Sequence, residues 1–203
     1  MNSEADERRV PAREGRGEVR EKGSRFFGFA ARARSMAEAE AFVERLDREH
    51  HDATHVAFAW KLGAGSSASR RASDAGEPSG TAGRPILGAI ESAGLTDAAV
   101  AVVRYYGGTK LGTGGLARAY RLAADRALAG AGSEVVYETV VLEVSCPHEK
   151  SGVVRRLLDP PGVRLRAERF DPEPILEIEV RLSRLAALEA ALGEARLSFR
   201  GQS

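Results

Sequence analysis

The pattern of apolar and polar positions predicts a strand and helix alternation that begins near residue 18. Residues 18–33 contain aromatic residues that favour a strand, and a glycine near residue 23 would break it into a hairpin. Ser35 followed by Glu38 is a capping box, and the apolar residues after it recur at helical spacing, so we expect a helix of about 14 residues. Residues 54–61 alternate well enough to form a further strand.

The next elements are separated by a segment of different composition. Residues 62–83 are rich in glycine, alanine, serine and charged residues, which predicts a mobile loop. Residues 84–94 and 115–129 carry apolar side chains at helical spacing. Between them, residues 98–104 form a near-continuous apolar run that is typical of a strand buried on both faces. The pattern therefore predicts one α/β domain over residues 18–132.

The last part of the chain has a clearer order, because prolines and glycines mark the ends of its elements. The predicted elements are a strand at 137–145, a helix at 147–158, strands at 163–170 and 175–182, a helix at 184–195 and a strand at 196–200. This βαββαβ order is that of the ferredoxin-like fold. We expect residues 134–203 to form a separate, independently folding domain, so the fold class is α/β (α+β) in two domains.

Composition indicates the cellular compartment in which the protein is expected. Residues 1–17 mix arginine with glutamate and aspartate and lack the apolar stretch of a secretion signal, so we expect a disordered tail. No apolar run approaches the ~20 residues of a membrane helix. Cys146 is the only cysteine, which excludes an intramolecular disulfide and a CxxC metal site and fits a reducing compartment. We expect a cytoplasmic protein with no membrane contact, and a monomer.

The net charge of +1 hides a local basic patch. The first domain is slightly basic and the second slightly acidic, and neither has the strong positive field of a dedicated nucleic-acid binder. Within residues 104–126, however, several cations face only Asp125 as a counter-charge. They are Arg104, Lys110, Arg118, Arg121 and Arg126.

The same segment contains the most informative motif, a glycine-rich passage from the buried strand into a helix. Glycines let a ligand approach the backbone, and a helix N-terminus offers unpaired N–H groups with a partial positive charge. The passage is neither a Walker A loop nor G-x-G-x-x-G. We predict an anion site here, formed by Arg104, Tyr105, Gly107, Gly108, Lys110, Gly112, Gly114, Gly115 and Arg118. The alternative is that the glycines only make a tight strand-to-helix turn.

A second candidate segment, residues 73–85, carries the carboxylates Asp74 and Glu77 three residues apart. Such a pair can serve metal binding or acid/base chemistry, although a solvated loop is the better explanation of a pair without a placed third ligand. We expect these carboxylates at the rim of the anion site, where they would orient a ligand. The predicted rim consists of His55, Asp74, Glu77, Ser79, Thr81 and Arg84.

Histidine, cysteine and aromatic residues change this interpretation little. His51 and His55 straddle a helix end and a strand start, so they would not share a helix face as zinc ligands do. We predict no metal site and no cofactor. Cys146 lacks a neighbouring base. Tyr105 and Tyr106 are the aromatic residues that we expect to be exposed enough to stack on a ligand, with Tyr105 bordering the site.

Together, the two motifs closely resemble the signature of the IMPACT/YigZ family. The chain carries D-x-G-E-P-S-G-T-A-G-x-P-I-L followed by V-V-R-Y-Y-G-G-x-K-L-G-x-G-G-L-x-R-A-Y, and the resemblance extends over residues 23–131. It places the family's motif on Asp74, Glu77, Pro78, Ser79, Gly80, Thr81, Gly83, Pro85, Arg104, Tyr105, Gly107, Gly108, Lys110, Leu111, Gly112, Gly114, Gly115, Leu116 and Arg118. Ala75 stands where the family often has a second acid, which weakens a dicarboxylate or two-metal role.

The resemblance implies a first domain akin to the second domain of a small-subunit ribosomal protein, and a ferredoxin-like second domain similar to the last domain of elongation factor G. It also implies regulation of translation. In eukaryotic members this means competition for the activator of a starvation-responsive kinase, but those members lack the second domain. The resemblance carries over no catalytic residue.

We therefore expect a translation-linked binding protein whose glycine-rich surface recognises nucleic acid, a ribosome-associated factor or an acidic protein. The rival hypothesis is an enzyme acting on a phosphorylated small molecule or an RNA end, with Asp74 or Glu77 as acid/base, but it lacks a nucleophile–base pair. A third, an RNA-binding sheet in the second domain, has few aromatic residues to support it.

Overall fold

The structure, a computed structural model, describes residues 6–171 and 173–201. Its chain divides into two compact units. The first runs from Arg8 to Val135, and the second consists of the residues from Val136 onwards together with Asp6 and Glu7. The division lies close to the boundary expected near residue 133.

The first unit contains a five-stranded antiparallel sheet in the order β2-β3-β6-β4-β5, and β1 pairs with β7 in a separate two-stranded sheet. These strands are β1 (Glu7–Pro11), β2 (Gly15–Glu21), β3 (Ser24–Arg32), β4 (His55–Leu62), β5 (Ser69–Ser73), β6 (Ala98–Tyr105) and β7 (Ser133–Tyr137). The helices are α1 (Met36–Glu49), α2 (Gly83–Ser92) and α3 (Gly112–Ala131). The predicted hairpin near residue 23 and the buried strand at 98–104 are confirmed as β2–β3 and β6.

Helices cover the five-stranded sheet on both faces. Helix α1 packs on one face against a cluster that includes Trp60, and α2 and α3 pack on the other. The central strand β6 is buried on both sides, and its side chains alternate, so that Val102 faces α2 and α3 whereas Val103 faces α1. By the same alternation, Arg104 lies on the α3 face and Tyr105 on the α1 face.

The capping box predicted for α1 is confirmed. The backbone N–H of Glu38 donates to the Ser35 hydroxyl over 3.2 Å, and the Glu38 carboxylate accepts from the N–H of Arg34 over 2.8 Å. The first bond satisfies a donor that the helix start leaves unpaired, and the second holds the N–H of the residue before the cap. The helix spans 14 residues, the length that its apolar spacing predicts.

The prediction of a disordered tail over residues 1–17 is wrong for the residues that the structure describes. Val10 is fully buried in β1, and β2 begins at Gly15. Strand β2 packs its backbone against α3 so closely that a Cβ on Gly15 would lie 2.2 Å from the Ala127 carbonyl oxygen. Backbone packing of this kind leaves no apolar pattern in the sequence. Residues 1–5 lie outside the described part of the chain.

The prediction of a mobile loop over residues 62–83 is also wrong in part, because β5 pairs with β4 along the sheet edge. Most β5 side chains are exposed, so no apolar alternation marks the strand. Arginine takes the place of apolar side chains there: the Arg71 guanidinium lies 5.2 Å from the centre of the Trp60 ring. The sequence of an edge strand that carries charged side chains resembles that of a polar loop.

The second unit has the predicted ferredoxin-like order. Its elements are β8 (Thr139–Ser145), α4 (Ser151–Leu157), β9 (Val163–Asp171), β10 (Glu173–Arg181), α5 (Leu182–Glu194) and β11 (Ser198–Gly201). The sheet order is β11-β8-β10-β9, and both helices pack on one face around Leu142, Ile178 and Leu192. A short 3-10 turn, His148–Lys150, occupies the predicted first turn of α4. Among the described residues, no helix combines the length and the apolar character needed to span a bilayer.

Candidate functional site

Three segments of the first unit meet at the end of β6. Strand β4 begins with His55, which lies opposite Arg104 in the β4–β6 ladder. The loop between β5 and α2 brings Glu77 to the Arg104 side chain, and α3 brings Tyr120 to the same point. The structure thus brings the two motifs together on the sheet face that carries α3, although Glu77 and Arg104 lie 27 residues apart in the chain.

The centre of this region is a buried ion pair between Arg104 and Glu77. The Arg104 Nη1 atom lies 2.6 Å from Oε1 of Glu77, and the two side chains are only 7% and 3% exposed. The Tyr120 hydroxyl donates to the same oxygen over 2.7 Å, and Nε2 of His55 lies 4.0 Å from it. Burial, followed by the bond to Glu77, raises the pKa of Tyr120, so its hydroxyl remains a donor at neutral pH.

This pair changes the roles that the sequence predicts for both residues. Arg104 was expected to contact an anion directly and Glu77 to stand at the rim, but each neutralises the other below the surface. Removal of one partner of a buried pair leaves an uncompensated charge, which costs about 3–5 kcal/mol. Arg104 therefore positions the loop of residues 74–82 against the sheet. Its Nε atom is buried and has no hydrogen-bond partner among the described residues.

Asp74 caps helix α2. Its carboxylate accepts hydrogen bonds from the backbone N–H groups of Gly80, Ala82 and Gly83 over 2.8–2.9 Å. Burial by itself would raise the pKa of Asp74, but these three bonds and the nearby Arg84 guanidinium lower it overall. Asp74 is consequently an ionised structural acceptor, with most of its hydrogen-bonding capacity used inside the loop.

The remaining predicted rim residues have mixed positions. The Nδ1–H of His55 donates to the Ala75 carbonyl oxygen over 2.8 Å, and the Thr81 hydroxyl donates to the Pro78 carbonyl oxygen over 2.6 Å. Thr81 is buried, whereas Ser79 and Arg84 are exposed. His55 and Thr81 therefore stabilise the fold of the loop, and Ser79 and Arg84 remain open to solvent.

The start of α3 provides open hydrogen-bond donors. The helix begins at Gly112, three residues before the predicted start at 115, and the preceding Leu111 offers no capping side chain. Gly112, Thr113 and Gly114 are exposed. The first N–H groups of a helix have no partner within it. Asp74 accepts from the N–H groups at the start of α2, whereas no side chain among the described residues does so for the first turn of α3.

Two exposed cations flank this turn. Lys110 lies two residues before Gly112, and the Arg118 guanidinium folds back over the turn, since a Cβ on Gly114 would lie 3.4 Å from the Arg118 Nη1 atom. Neither residue forms an ion pair within the described part of the chain. Arg121, by contrast, is paired with Asp125 at 2.9 Å, and Arg126 donates to the Glu18 carbonyl oxygen.

The two tyrosines that follow Arg104 point to opposite faces of the sheet. The Tyr105 hydroxyl donates to Asp52 over 3.0 Å on the α1 face, so Tyr105 does not border the glycine-rich turn. The Tyr106 side chain is 46% exposed, and the Arg104 guanidinium lies 5.4 Å from the centre of its ring. The alternation of a strand could have identified Tyr106 in place of Tyr105 from the sequence.

Neither unit offers an evident centre for metal chemistry. Within residues 6–171 and 173–201, no group of three or more histidine, cysteine, aspartate or glutamate side chains is arranged to hold a metal ion. In the second unit, the sheet face without helices carries ion pairs: Glu143 lies between Arg169 and Arg200, and Arg164 lies 2.7 Å from Glu179.

The candidate site of the first unit consists of the glycine-rich turn, Lys110, Arg118 and Tyr106, and the Arg104–Glu77 pair supports it from below.

Comparisons with known proteins identify a family model and relatives that match this chain. The model of the Impact N-terminal domain matches residues 22–128. A protein of Escherichia coli strain K12, described as IMPACT family member YigZ, is 32% identical over 85% of this chain and 85% of its own. An IMPACT family member of Haemophilus influenzae is 32% identical over 85% of this chain and 84% of its own. A crystal structure of a hypothetical protein superposes with a TM-score of 0.69 at 28% identity, covering 98% of both chains.

Proposed function

Because the chain belongs to the IMPACT family, we propose that it is a translation-linked binding protein whose glycine-rich turn recognises the phosphates of single-stranded RNA, free or on the ribosome. The family resemblance supports the link to translation, and the geometry of the site supports the choice of ligand class. A cytoplasmic location, where RNA and ribosomes are found, is part of this proposal.

The observation that supports the proposal most directly is the uncapped start of α3. Its exposed first turn combines open backbone donors with the positive end of the helix dipole, and Lys110 and Arg118 add two charges at the same place. Such an arrangement favours an anion. Because two cations and a helix terminus lie side by side on an open surface, the site suits a chain of phosphates better than one enclosed phosphate.

The neighbouring Tyr106 favours RNA over an acidic protein as the partner. Its ring is half-exposed beside the glycine-rich turn, and the Arg104 guanidinium covers part of it. Aromatic side chains beside a cationic groove are how many proteins hold single strands, since every base has a face that can stack. A carboxylate-rich peptide would use the cations but gain little from the ring.

The two carboxylates of the loop support binding rather than acid/base catalysis. Asp74 is held by three backbone N–H groups, and its lowered pKa keeps it ionised. Glu77 is held by Arg104 and Tyr120 below the surface. A general acid or base needs to reach a substrate proton within about 3 Å, and neither carboxylate is free to do so. The enzyme hypothesis therefore lacks a candidate group in this loop.

Charge reversal at the glycine-rich turn tests the proposal. We expect the double variant Lys110→Glu, Arg118→Glu to bind a fluorescent oligouridylate of ~12 nucleotides about tenfold more weakly at low salt, and to sediment less with purified ribosomes. The slope of log K against log salt should fall by about 0.7 for each lost phosphate contact. Fluorescence anisotropy measures both quantities.

A matched control separates this site from general charge effects. Arg34→Glu with Arg48→Glu changes the net charge equally, but these exposed residues lie at α1, on the opposite face of the sheet. The control should bind like the parent. Equal weakening of both double variants, or no weakening of the first, would contradict the proposal. Tighter binding of polyglutamate than of oligouridylate would contradict RNA as the partner.

A further inference from the structure

The turn of the β2–β3 hairpin lies directly against the glycine-rich turn. Glu21 and Ser24 are the last pair of the β2–β3 ladder, so the hairpin turn consists of Lys22 and Gly23. A Cβ on Gly107 would lie 1.9 Å from the Gly23 carbonyl carbon, which means that the two backbones are in van der Waals contact. The N–H of Gly107 also donates to the Ser24 hydroxyl over 3.1 Å. The hairpin turn is thus fixed beside the candidate site.

Lys22 occupies this turn in an unfavourable conformation. Its φ is 46°, and that of Gly23 is 83°. A two-residue hairpin with both values positive prefers Asn-Gly or Asp-Gly, because asparagine, aspartate and glycine tolerate the left-handed region better than other residues do. Strain of this kind is often retained at functional sites. Fold stability alone would favour asparagine at residue 22.

Lys22 also has the charge that the site uses. It is exposed and forms no ion pair within the described residues, whereas the nearby Glu18 carboxylate is held by Arg20 and Arg25 at 2.8 and 3.5 Å. A lysine side chain is long and flexible and presents a compact charge with three donors, which suits contact with a phosphate. The turn that carries it contacts Gly107, which lies three residues before Lys110 in the same glycine-rich passage.

We propose that Lys22 is a further RNA-binding residue, which supplies a third cation from the hairpin turn and contacts a backbone phosphate of the single strand held at the start of α3. This inference rests on the proposed function and extends its surface from α3 to the β2–β3 hairpin. The lysine is retained at a strained position because its charge serves binding.

Three substitutions of Lys22 test the role of its charge. With the same oligouridylate, Lys22→Met should lower the affinity about two- to fivefold at low salt, the range for an exposed charge contact. Lys22→Arg should bind like the parent. Lys22→Asn should bind as weakly as Lys22→Met while its melting temperature rises by about 2–4 °C, because asparagine suits the turn. Trp60, the only tryptophan, reports unfolding of this unit by fluorescence.

The outcomes separate this inference from the proposed function. If Lys22→Met or Lys22→Asn binds like the parent while Lys110→Glu with Arg118→Glu is weakened, the inference fails and the proposed function stands. If Lys22→Arg binds as weakly as Lys22→Met, charge is not the property that matters, and the inference fails. If neither the parent nor any variant binds the oligonucleotide, both proposals fail.

Discussion

At the scale of single residues, Tyr120 and Tyr105 form a natural comparison, because each hydroxyl donates to a carboxylate. Tyr120 donates to Glu77 inside the first unit, next to Arg104, and is fully buried. Tyr105 donates to Asp52 near the surface. The same chemical group is thus placed in two environments of different polarity.

We predict that Tyr120→Phe lowers the free energy of unfolding by about 1.5–3 kcal/mol, because a buried charged acceptor loses a donor. Tyr105→Phe should cost about 0.5–1 kcal/mol, since water can replace the hydroxyl. Urea unfolding followed by Trp60 fluorescence measures both. Equal losses for the two variants would mean that the Glu77 cluster does not stabilise the fold as described.

The sequence predicts the site residues unequally. Lys110 and Arg118 follow from their position at a glycine-rich helix start, and both are exposed as expected. Tyr105 was predicted to border the site, but it lies on the α1 face; strand alternation would have indicated Tyr106 instead. The Arg104–Glu77 pair does not follow from any local pattern, because its partners are 27 residues apart and both are ordinary polar residues in the sequence. Only the folded loop brings them together.

At the scale of elements, close backbone approach joins the glycine-rich turn to the β2–β3 hairpin. Gly107 tolerates no side chain where it faces Gly23, whereas Gly114 in the first turn of α3 has only the flexible Arg118 side chain near it. The two glycines therefore serve different purposes. Gly107 permits contact between two segments, and Gly114 leaves the first turn of α3 open except for the Arg118 side chain.

Gly107→Ala should therefore lower the free energy of unfolding by about 1–3 kcal/mol, as expected when a methyl group is forced into a packed contact. Gly114→Ala, the matched control, should raise stability by up to about 1 kcal/mol, because alanine is the better helix former. Thermal unfolding of both variants is the measurement. A fully stable Gly107→Ala variant would rule out the close contact with the hairpin.

Elements that pack through a periodic set of apolar side chains were predictable from the sequence. Elements that pack through charged side chains or through the backbone were not. The capping box and spacing of α1 gave its bounds, and the apolar run of β6 gave a central strand. Strand β5 exposes most of its side chains and places Arg71 over Trp60, and the start of β2 packs its backbone and glycines against α3. Neither kind of packing leaves a periodic apolar signal, so both segments resembled loops or tails.

At the scale of the whole molecule, a net charge of +1 conceals where the charges lie. Most arginines of the second unit's open sheet face are paired with glutamate, whereas Lys110 and Arg118 are unpaired within the described residues. Local imbalance, more than total charge, determines where a polyanion binds.

The division into two units and the ferredoxin-like order of the second could be predicted from proline and glycine positions, because these residues end helices and strands.

We propose above all that the start of α3 binds phosphates through its backbone N–H groups. Proton–nitrogen correlation spectra of the isotope-labelled chain, recorded during titration with oligouridylate, would show which amides contact the ligand. We expect the largest shifts at the amides of residues 107–118 and at Lys22 and Gly23, with α1 unaffected. Shifts concentrated on the open sheet face of the second unit, or no shifts in residues 107–118 at saturation, would contradict the claim.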